Sequence, residues 1–313
     1  MTVALSNSHA KDLEKLLSGK VLWNCPLARY TTLRVGGPAE AVVFTETRAD
    51  LTRLLTWLKD RNIPRHIIGG GSNILVPDHG LTGVTVMLGR GLAEIETIGD
   101  KNDKVLVQAG GGCRLARLIK YCTDRAISGL EFAVGIPGSI GGAIVMNAGC
   151  WDREIGDVLY SVTMLNPAGE LISEPREKLD LSYRQWGGGE ETVIVAAVFA
   201  LMKDDKRKIK AACRKYLQQR KEKQPQNLAS AGSFFKNPPG QAAGKLIEET
   251  GLKGCRVGGA MVSPQHANFL VNTGKATAGD ILALMRLVQS KVFDRSGIML
   301  EPEVQILKND TDD

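Results

Sequence analysis

Between Arg48 and Arg61, Leu51, Leu54, Leu55 and Leu58 recur every three or four positions, which makes one face of the segment apolar. That spacing predicts an amphipathic helix with Asp50 near its start and Pro64 beyond its end. The same period marks helices at Lys11–Leu17, Leu115–Cys122, Ala242–Thr250 and Thr277–Arg295, the last closed by Gly297. Lys206 to Lys223 repeats Ile209, Ala212, Cys213, Tyr216 and Leu217 within a segment crowded with Lys and Arg. Such a helix reads first as a solvated face and second as a binding surface.

Short apolar runs predict strands at Ala41–Phe44, His66–Ile68, Ile74–Val76, Val84–Leu88, Ile95–Ile98 and Val105–Gln108. Others follow at Leu159–Leu165, Glu170–Ile172, Val193–Met202, Gly258–Val262, Asn268–Val271 and Met299–Leu307. Asn166-Pro167-Ala168-Gly169 reads as a turn between two of them. A β-α-β-β unit thus opens the chain, a mixed sheet with few helices follows, and a third region begins after Pro225. The class is α+β. The divisions fall at 1–90, 91–222 and 223–298, with 299–313 returning as a strand to the earlier part.

The most informative interruption is Gly135-Ile136-Pro137-Gly138-Ser139-Ile140-Gly141-Gly142-Ala143, set between Leu130-Glu-Phe-Ala-Val134 and Ile144-Val-Met146. Four glycines and a proline in nine residues argue against a helix or a central strand. Such a run instead exposes backbone N–H groups with no Cβ in the way, a concavity that suits phosphate oxygens. Gly69-Gly70-Gly71-Ser72-Asn73 and Arg34-Val35-Gly36-Gly37-Pro38-Ala39 are two further Gly-rich runs at strand edges. Three such loops imply one extended ligand carrying a pyrophosphate, such as a dinucleotide.

Familiar phosphate and catalytic signatures are absent. No G-x-G-x-x-G opens a helix, which excludes a Rossmann fingerprint. Gly240 to Lys245 has one residue too few between its glycines for a P-loop, and Leu246 follows where Ser or Thr belongs. Ser139 lacks the first glycine of a nucleophile elbow. Six cysteines form no C-x-x-C pair and four histidines show no zinc spacing, so no metal is expected. The net charge of +6 suits an anionic small molecule as well as a nucleic acid and decides nothing between them. The N-terminus has no secretory pattern and no apolar run is long enough to span a bilayer, so the expected location is cytoplasmic.

Three polar spots remain: Tyr183-Arg184, Ala231-Gly-Ser233-Phe-Phe-Lys236-Asn237-Pro238, and Leu300-Glu301-Pro-Glu303-Val304. In an extended strand Glu301 and Glu303 share a face. Singly, Arg184 reads as a surface ion-pair residue, Ser233 as a turn or cap, and the two glutamates as an edge strand.

Together with the three Gly-rich runs and Asn147-Ala-Gly149, these motifs occur in an order that resembles the UDP-N-acetylenolpyruvoylglucosamine reductase (MurB) family, in its shorter type II form. The likeness runs from about residue 29 to residue 307. It implies a two-subdomain FAD-binding fold of the PCMH, or vanillyl-alcohol-oxidase, type followed by a substrate-binding domain. It further implies non-covalent FAD, NADPH as hydride donor, and UDP-N-acetyl-3-O-(1-carboxyvinyl)-glucosamine as substrate, in peptidoglycan precursor synthesis. By resemblance, Ser233 gives a proton to C2, and Arg184 and Glu303 stabilise the enolate-like intermediate. Glu303 as the acid, and Glu301 as the alternative carboxylate, stay open. FAD contacts are expected from Arg34, Gly69, Gly70, Gly71, Ser72, Asn73, Gly135, Ile136, Pro137, Gly138, Ser139, Gly141, Gly142, Ala143 and Asn147. Substrate contacts are expected from Tyr183, Arg220, Lys236, Asn237, Lys245, His266 and Asn268. The stretch from Arg184 to Ser233 is shorter than in the enterobacterial form, so the substrate-covering tyrosine of that form is not carried over. Gripping the diphosphate then falls to Arg220, Lys223, Lys236 or Lys245. An oxidase of the same fold family and a nucleic-acid-binding protein are the alternatives. The first is opposed by the Arg184, Ser233 and Glu303 set, the second by the lack of interleaved aromatics on the basic helix.

Overall fold

The computed structural model describes residues 5–166, 169–189 and 192–309. In chain order the N-terminal elements are α1 (Asn7–Leu16), β1 (Val21–Pro26), β2 (Pro38–Thr45), α2 (Arg48–Asp60), β3 (Arg65–Ile67), β4 (Ile74–Leu75) and β5 (Leu81–Leu88). Next come β6 (Ile95–Lys101), β7 (Lys104–Gly110), α3 (Leu115–Asp124), β8 (Ile127–Ser128), α4 (Ile140–Val145), β9 (Gly149–Cys150) and β10 (Arg153–Glu154). They lead into β11 (Leu159–Leu165), β12 (Leu171–Pro175), β13 (Leu181–Ser182), β14 (Gln185–Trp186), β15 (Val193–Lys203) and α5 (Lys206–Lys223). The chain ends with β16 (Ala229–Ser230), α6 (Ala243–Glu249), β17 (Arg256–Val257), β18 (Ala260–Val262), β19 (Leu270–Asn272), α7 (Ala278–Ser296) and β20 (Gln305–Ile306).

The helices read from the apolar period are all present, and α5 has the bounds expected of it. Helix α1 starts earlier than expected because Ser6 and His9 close a capping box around its first turn. Of the turn expected at 166–169, Pro167 and Ala168 lie outside the described residues. The expected strand Met299–Leu307 is a two-residue β20 plus an isolated antiparallel bridge, Phe235↔Pro302. Pro302 has no N–H to continue a ladder, but at this bridge the bonds come from its neighbours. Lys236 N–H donates to the Glu301 carbonyl at 2.9 Å, and Glu303 N–H donates to the Phe234 carbonyl at 2.8 Å.

One expectation fails outright. The Gly135–Ala143 run ends in a helix, α4, which contains both Gly141 and Gly142. Two helical glycines cost about 1 kcal/mol each against alanine. Against this, Ile140 and Ile144 are fully buried, worth about 1.5–3 kcal/mol apiece. The first-turn amides, which a helix cannot satisfy internally, also find partners. Ile140 N–H donates to the Cys113 carbonyl, Gly141 N–H to the Gly111 carbonyl, and Gly142 N–H to Ser139 Oγ.

The described residues cluster into two units. The N-terminal unit takes those up to Trp23, Ala41–Gly70 and those of Gly83–Gln219. The C-terminal unit takes Asn24–Glu40, Gly71–Thr82 and those from Arg220 on. Residues 24–40 and 71–82, which the sequence reading assigns to 1–90, therefore cluster with the C-terminal part. The chain changes unit inside β1, β2 and β5, in the Gly-rich loop after Gly70 and inside α5; at the strands and the helix, uninterrupted elements give a sequence-based reading no linker to detect.

In the N-terminal unit, antiparallel strands β12-β11-β15-β7-β6 form a sheet with β8 added to β15. Its centre is β15, whose nearly continuous apolar run is buried, as a strand covered on both sides requires. Helix α3 lays Leu115, Leu118, Ile119 and Cys122 into the same core, where burial, with the nearby Glu131 charge, pushes the Cys122 thiol up to about 12. That thiol is packing material, not a nucleophile. A second core joins Leu13 of α1 and the apolar face of α2 to Ala41, Val43, Val84 and Val86.

The C-terminal unit wraps the antiparallel sheet β16-β19-β18-β17 around α7, which buries Ile281, Leu284, Met285, Val288 and Val292. Thr277 and Asp280 box the start of α7, and Gly297 at φ 70° ends it in the left-handed conformation that favours glycine. The Asp78 carboxylate accepts from the Ala278 and Gly279 amides at 2.7 and 2.8 Å, tying the 71–82 segment to this helix. Strand β20 pairs in parallel with β4, through Gln305↔Ile74 and Ile306↔Leu75.

Candidate active site

Within the N-terminal unit, the two principal Gly-rich loops meet backbone to backbone. A Cβ on Gly70 would collide with the Cα of Gly138, so the approach itself demands glycine. Gly69 and Gly70 are exposed and Gly138 half-buried. Among the described residues, the N–H groups of Gly69, Gly70 and Gly138 donate to no acceptor. The result is a patch of uncharged donors with no side chains between them, which fits the pyrophosphate of the cofactor that the resemblance implies. Around it Ser139 is buried, its hydroxyl capping α4, and Gly135, Ile136 and Pro137 are exposed or half-buried.

Arg184 sits in the same unit, at the tip of the hairpin formed by β13 and β14. The pairs Leu181↔Trp186 and Ser182↔Gln185 leave Tyr183 and Arg184 as a two-residue loop. Arg184 has φ 56° while Tyr183 does not share the positive φ, the pattern of a turn whose third position ordinarily carries Gly or Asn. Holding an arginine there costs about 1–2 kcal/mol. Strain of this kind persists where surrounding contacts over-determine it, and it clusters at functional sites. Here the guanidinium donates through Nη2 to the Gly149 carbonyl at 3.0 Å and lies 5.0 Å from the centre of the exposed Tyr183 ring.

Asn147, named among the expected cofactor contacts, is a residue only 2% exposed whose side chain is bonded inside the unit. Its Nδ2 donates to Glu154 Oε2 at 2.6 Å and to the Ser182 carbonyl at 3.1 Å, and its Oδ1 accepts from Gly156 N–H at 3.0 Å. Glu154 is a partner that sequence reasoning missed, since a lone glutamate in a charged turn carries no signal.

In the C-terminal unit, the bridge at Phe235↔Pro302 brings the Ser233 and Glu303 segments side by side. Ser233 is half-buried and follows Gly232 (φ 81°); its hydroxyl makes no hydrogen bond among the described residues. Glu303 is half-buried, whereas Glu301 is exposed and lies 3.6 Å from Lys236 Nζ. Across an antiparallel bridge, 301 and 303 fall on the same face, as the sequence pattern requires. The carbonyl of Glu303 accepts from Asn73 Nδ2 at 2.9 Å. Gly71 and Ser72 are fixed by the Thr32 amide and hydroxyl, and a Cβ on Gly71 would strike the Tyr30 carbonyl. Exposed Arg34 holds φ 55°, its carbonyl within reach of Asn272 Nδ2.

The residues expected to line the substrate divide into two kinds. Asn268, 3% exposed, spends its amide on Phe235: Oδ1 accepts from the Phe235 N–H at 2.9 Å and Nδ2 donates to its carbonyl at 2.8 Å. Asn237 Oδ1 accepts from Ala243 N–H at the start of α6. Arg220 is 9% exposed and donates to Gln224 Oε1. Those three side chains thus organise the chain. Lys245 is exposed and 3.9 Å from Glu249, while half-buried His266 stacks edge-on against Phe269, its imidazole held below the usual range by burial and by the Lys253 charge. Tyr183 and Arg184 belong to the N-terminal unit; Ser233 and Glu303 belong to the C-terminal one.

Comparison with known proteins also finds two parts. Residues 39–173 match the FAD binding domain family, and residues 224–307 match the C-terminal domain of UDP-N-acetylenolpyruvoylglucosamine reductase. The UDP-N-acetylenolpyruvoylglucosamine reductase of Syntrophus aciditrophicus is 44% identical over 96% of both chains. That of Desulfosudis oleivorans is 43% identical over 94% of this chain and 97% of its own. The crystal structure of the Thermus caldophilus enzyme superposes with a TM-score of 0.80 at 35% identity, covering 93% of this chain and all of the other.

Proposed function

The chain belongs to the UDP-N-acetylenolpyruvoylglucosamine reductase family, an FAD-containing oxidoreductase of peptidoglycan precursor synthesis, and from that premise we propose how its residues divide the reaction. The substrate is the enolpyruvyl ether of UDP-N-acetylglucosamine, and the hydride donor is NADPH. FAD, held by the Gly-rich loops, would supply the hydride transfer that links NADPH to C3 of the enolpyruvyl group.

The remaining chemistry belongs to the protein. Hydride at C3 leaves negative charge on C2 and its carboxylate, and a proton at C2 completes the lactyl ether. Arg184 meets that charge as a fixed cation whose interaction grows toward the transition state; losing one such donor costs about 3–4 kcal/mol of barrier. Ser233 gives the proton to C2, and Glu303 shares in holding the intermediate. The amides of Gly69, Gly70 and Gly138 hold the cofactor diphosphate. Lys236 and Lys245 grip the substrate diphosphate in preference to Arg220, which is buried and bonded within the chain. No described helix is long and apolar enough to cross a membrane, and we assign the enzyme to the cytoplasm.

The observation that carries this reading is the Glu303 N–H bond to the Phe234 carbonyl, which fixes the acid-bearing and carboxylate-bearing segments in one register. Ser233→Ala tests it. Flavin reduction by NADPH should stay near its original rate while turnover of the UDP-sugar falls by several orders of magnitude. Unchanged turnover would remove Ser233 from the mechanism.

A further inference from the structure

We propose that Asn147 is a positioning residue for Arg184: its buried amide anchors the hairpin that holds the guanidinium in its strained, productive place. The proposal rests on the role given to Arg184 above and extends it to a group that touches neither cofactor nor substrate through its side chain.

The hairpin cannot hold itself. Two residue pairs, Leu181↔Trp186 and Ser182↔Gln185, are too few for an independent ribbon, and Arg184 sits at a φ that resists a side chain. Leu181 and Trp186 pack on the core, and two further fixings, both side-chain hydrogen bonds, involve a single short segment, 147–149. Asn147 Nδ2 donates to the carbonyl of Ser182, the residue that begins the turn, and the carbonyl of Gly149 receives the Arg184 guanidinium. The base and the head of the arginine arm are therefore referenced to the same stretch of chain. Asn147 is in turn locked to that stretch. Its second donor goes to Glu154, whose backbone pairs with Gly149 across the β9–β10 hairpin, and its oxygen takes the Gly156 amide.

The chemistry selects asparagine. One nitrogen must serve two acceptors, a carboxylate and a carbonyl, while one oxygen serves a donor, and only a primary amide supplies both from a side chain of this length. An aspartate would set a second carboxylate against Glu154 and leave the Ser182 carbonyl without its donor.

Asn147→Asp, Arg184→Ala and the double variant, each as the full FAD-loaded chain, test the inference. N147D should lower UDP-sugar turnover about 10-fold or more, with flavin reduction by NADPH unchanged, and recover as pH falls and a proton returns between the two carboxylates. In the R184A background the same change should cost almost nothing further, because there is no guanidinium left to position. Peptide-resolved hydrogen exchange supplies a readout independent of activity. Residues 181–187 should exchange about 10-fold faster in N147D, with 193–203 unaltered. An N147D loss of equal size with and without Arg184, or unaltered exchange at 181–187, overturns the proposal. If R184A leaves turnover intact, the catalytic reading of Arg184 fails, while the exchange measurement still decides whether Asn147 anchors the hairpin. Should N147D not retain FAD, Asn147→Ser, which keeps one donor and adds no charge, carries the same cycle.

Discussion

The side-chain amide of Asn73 donates to the backbone carbonyl of Glu303 at 2.9 Å, and the Gln305 amide returns a bond to the Asn73 carbonyl at 3.0 Å. The last residue of a Gly-rich loop thereby sets the position of a carboxylate 230 positions away in the chain. Expected for Asn73 was contact with a cofactor; the structure adds a tie between the loop and the strand that carries Glu303.

Removing that tie should be felt in both stability and rate. Asn73→Ala should cost about 1 kcal/mol of unfolding free energy, the worth of a half-buried hydrogen bond. It should also lower turnover more than it lowers FAD affinity. Denaturant unfolding and a flavin titration on the same preparation give both numbers; an unmoved kcat would mean that the Phe234 bond and the β4–β20 pairing fix Glu303 without it.

Asn268 should be more costly to lose. Its amide satisfies both the N–H and the carbonyl of buried Phe235, next to the bridge that registers Ser233 against Glu303. Asn268→Ala leaves two buried polar groups unpaired, at about 1–3 kcal/mol each. A fall in Tm of several degrees is expected, with turnover declining in parallel. A loss below about 1 kcal/mol would show that water or the neighbouring chain takes over the two bonds.

Arg184→Gly separates strain from function. Glycine relieves the left-handed φ, about 1–2 kcal/mol, but adds chain entropy to the unfolded state and gives up the bond to Gly149. The net stability change should stay within about 1 kcal/mol while turnover falls 10²-fold or more. A variant that unfolds would instead make Arg184 a structural residue.

His266 gives a pH signature. Burial, with the Lys253 charge adding to it, holds its folded pKa below the usual value. The unfolded chain therefore binds the proton first, at about pH 6.5. Stability from this group is complete above that pH and is lost as pH falls below it, until folded His266 itself protonates. The Tm difference between the original protein and His266→Gln should shrink from pH 8 to pH 5.5. A difference that stays constant over that range would show that His266 is not held neutral.

Apolar period and local chemistry were enough to specify α2, α3, α7 with its Gly297 stop and the buried run of β15, because each depends on neighbours a few residues apart. The order of the motifs was likewise legible, and with it the family. Three features were not. Helix α4 forms despite its glycines because the carbonyls of Gly111 and Cys113 receive its first amides. Segments 24–40 and 71–82 join the C-terminal unit through Asn272 on the Leu33 carbonyl, Asp78 on α7 and β4 on β20, pairings between residues more than 190 positions apart. Asn147 and Asn268 are anchors because burial brought each amide against backbone groups it alone can satisfy. Local sequence determines which residues can donate, accept or turn; only the folded chain decides which of those capacities are spent inside the protein and which are left facing a ligand, since desolvation and distance are properties of the packed structure.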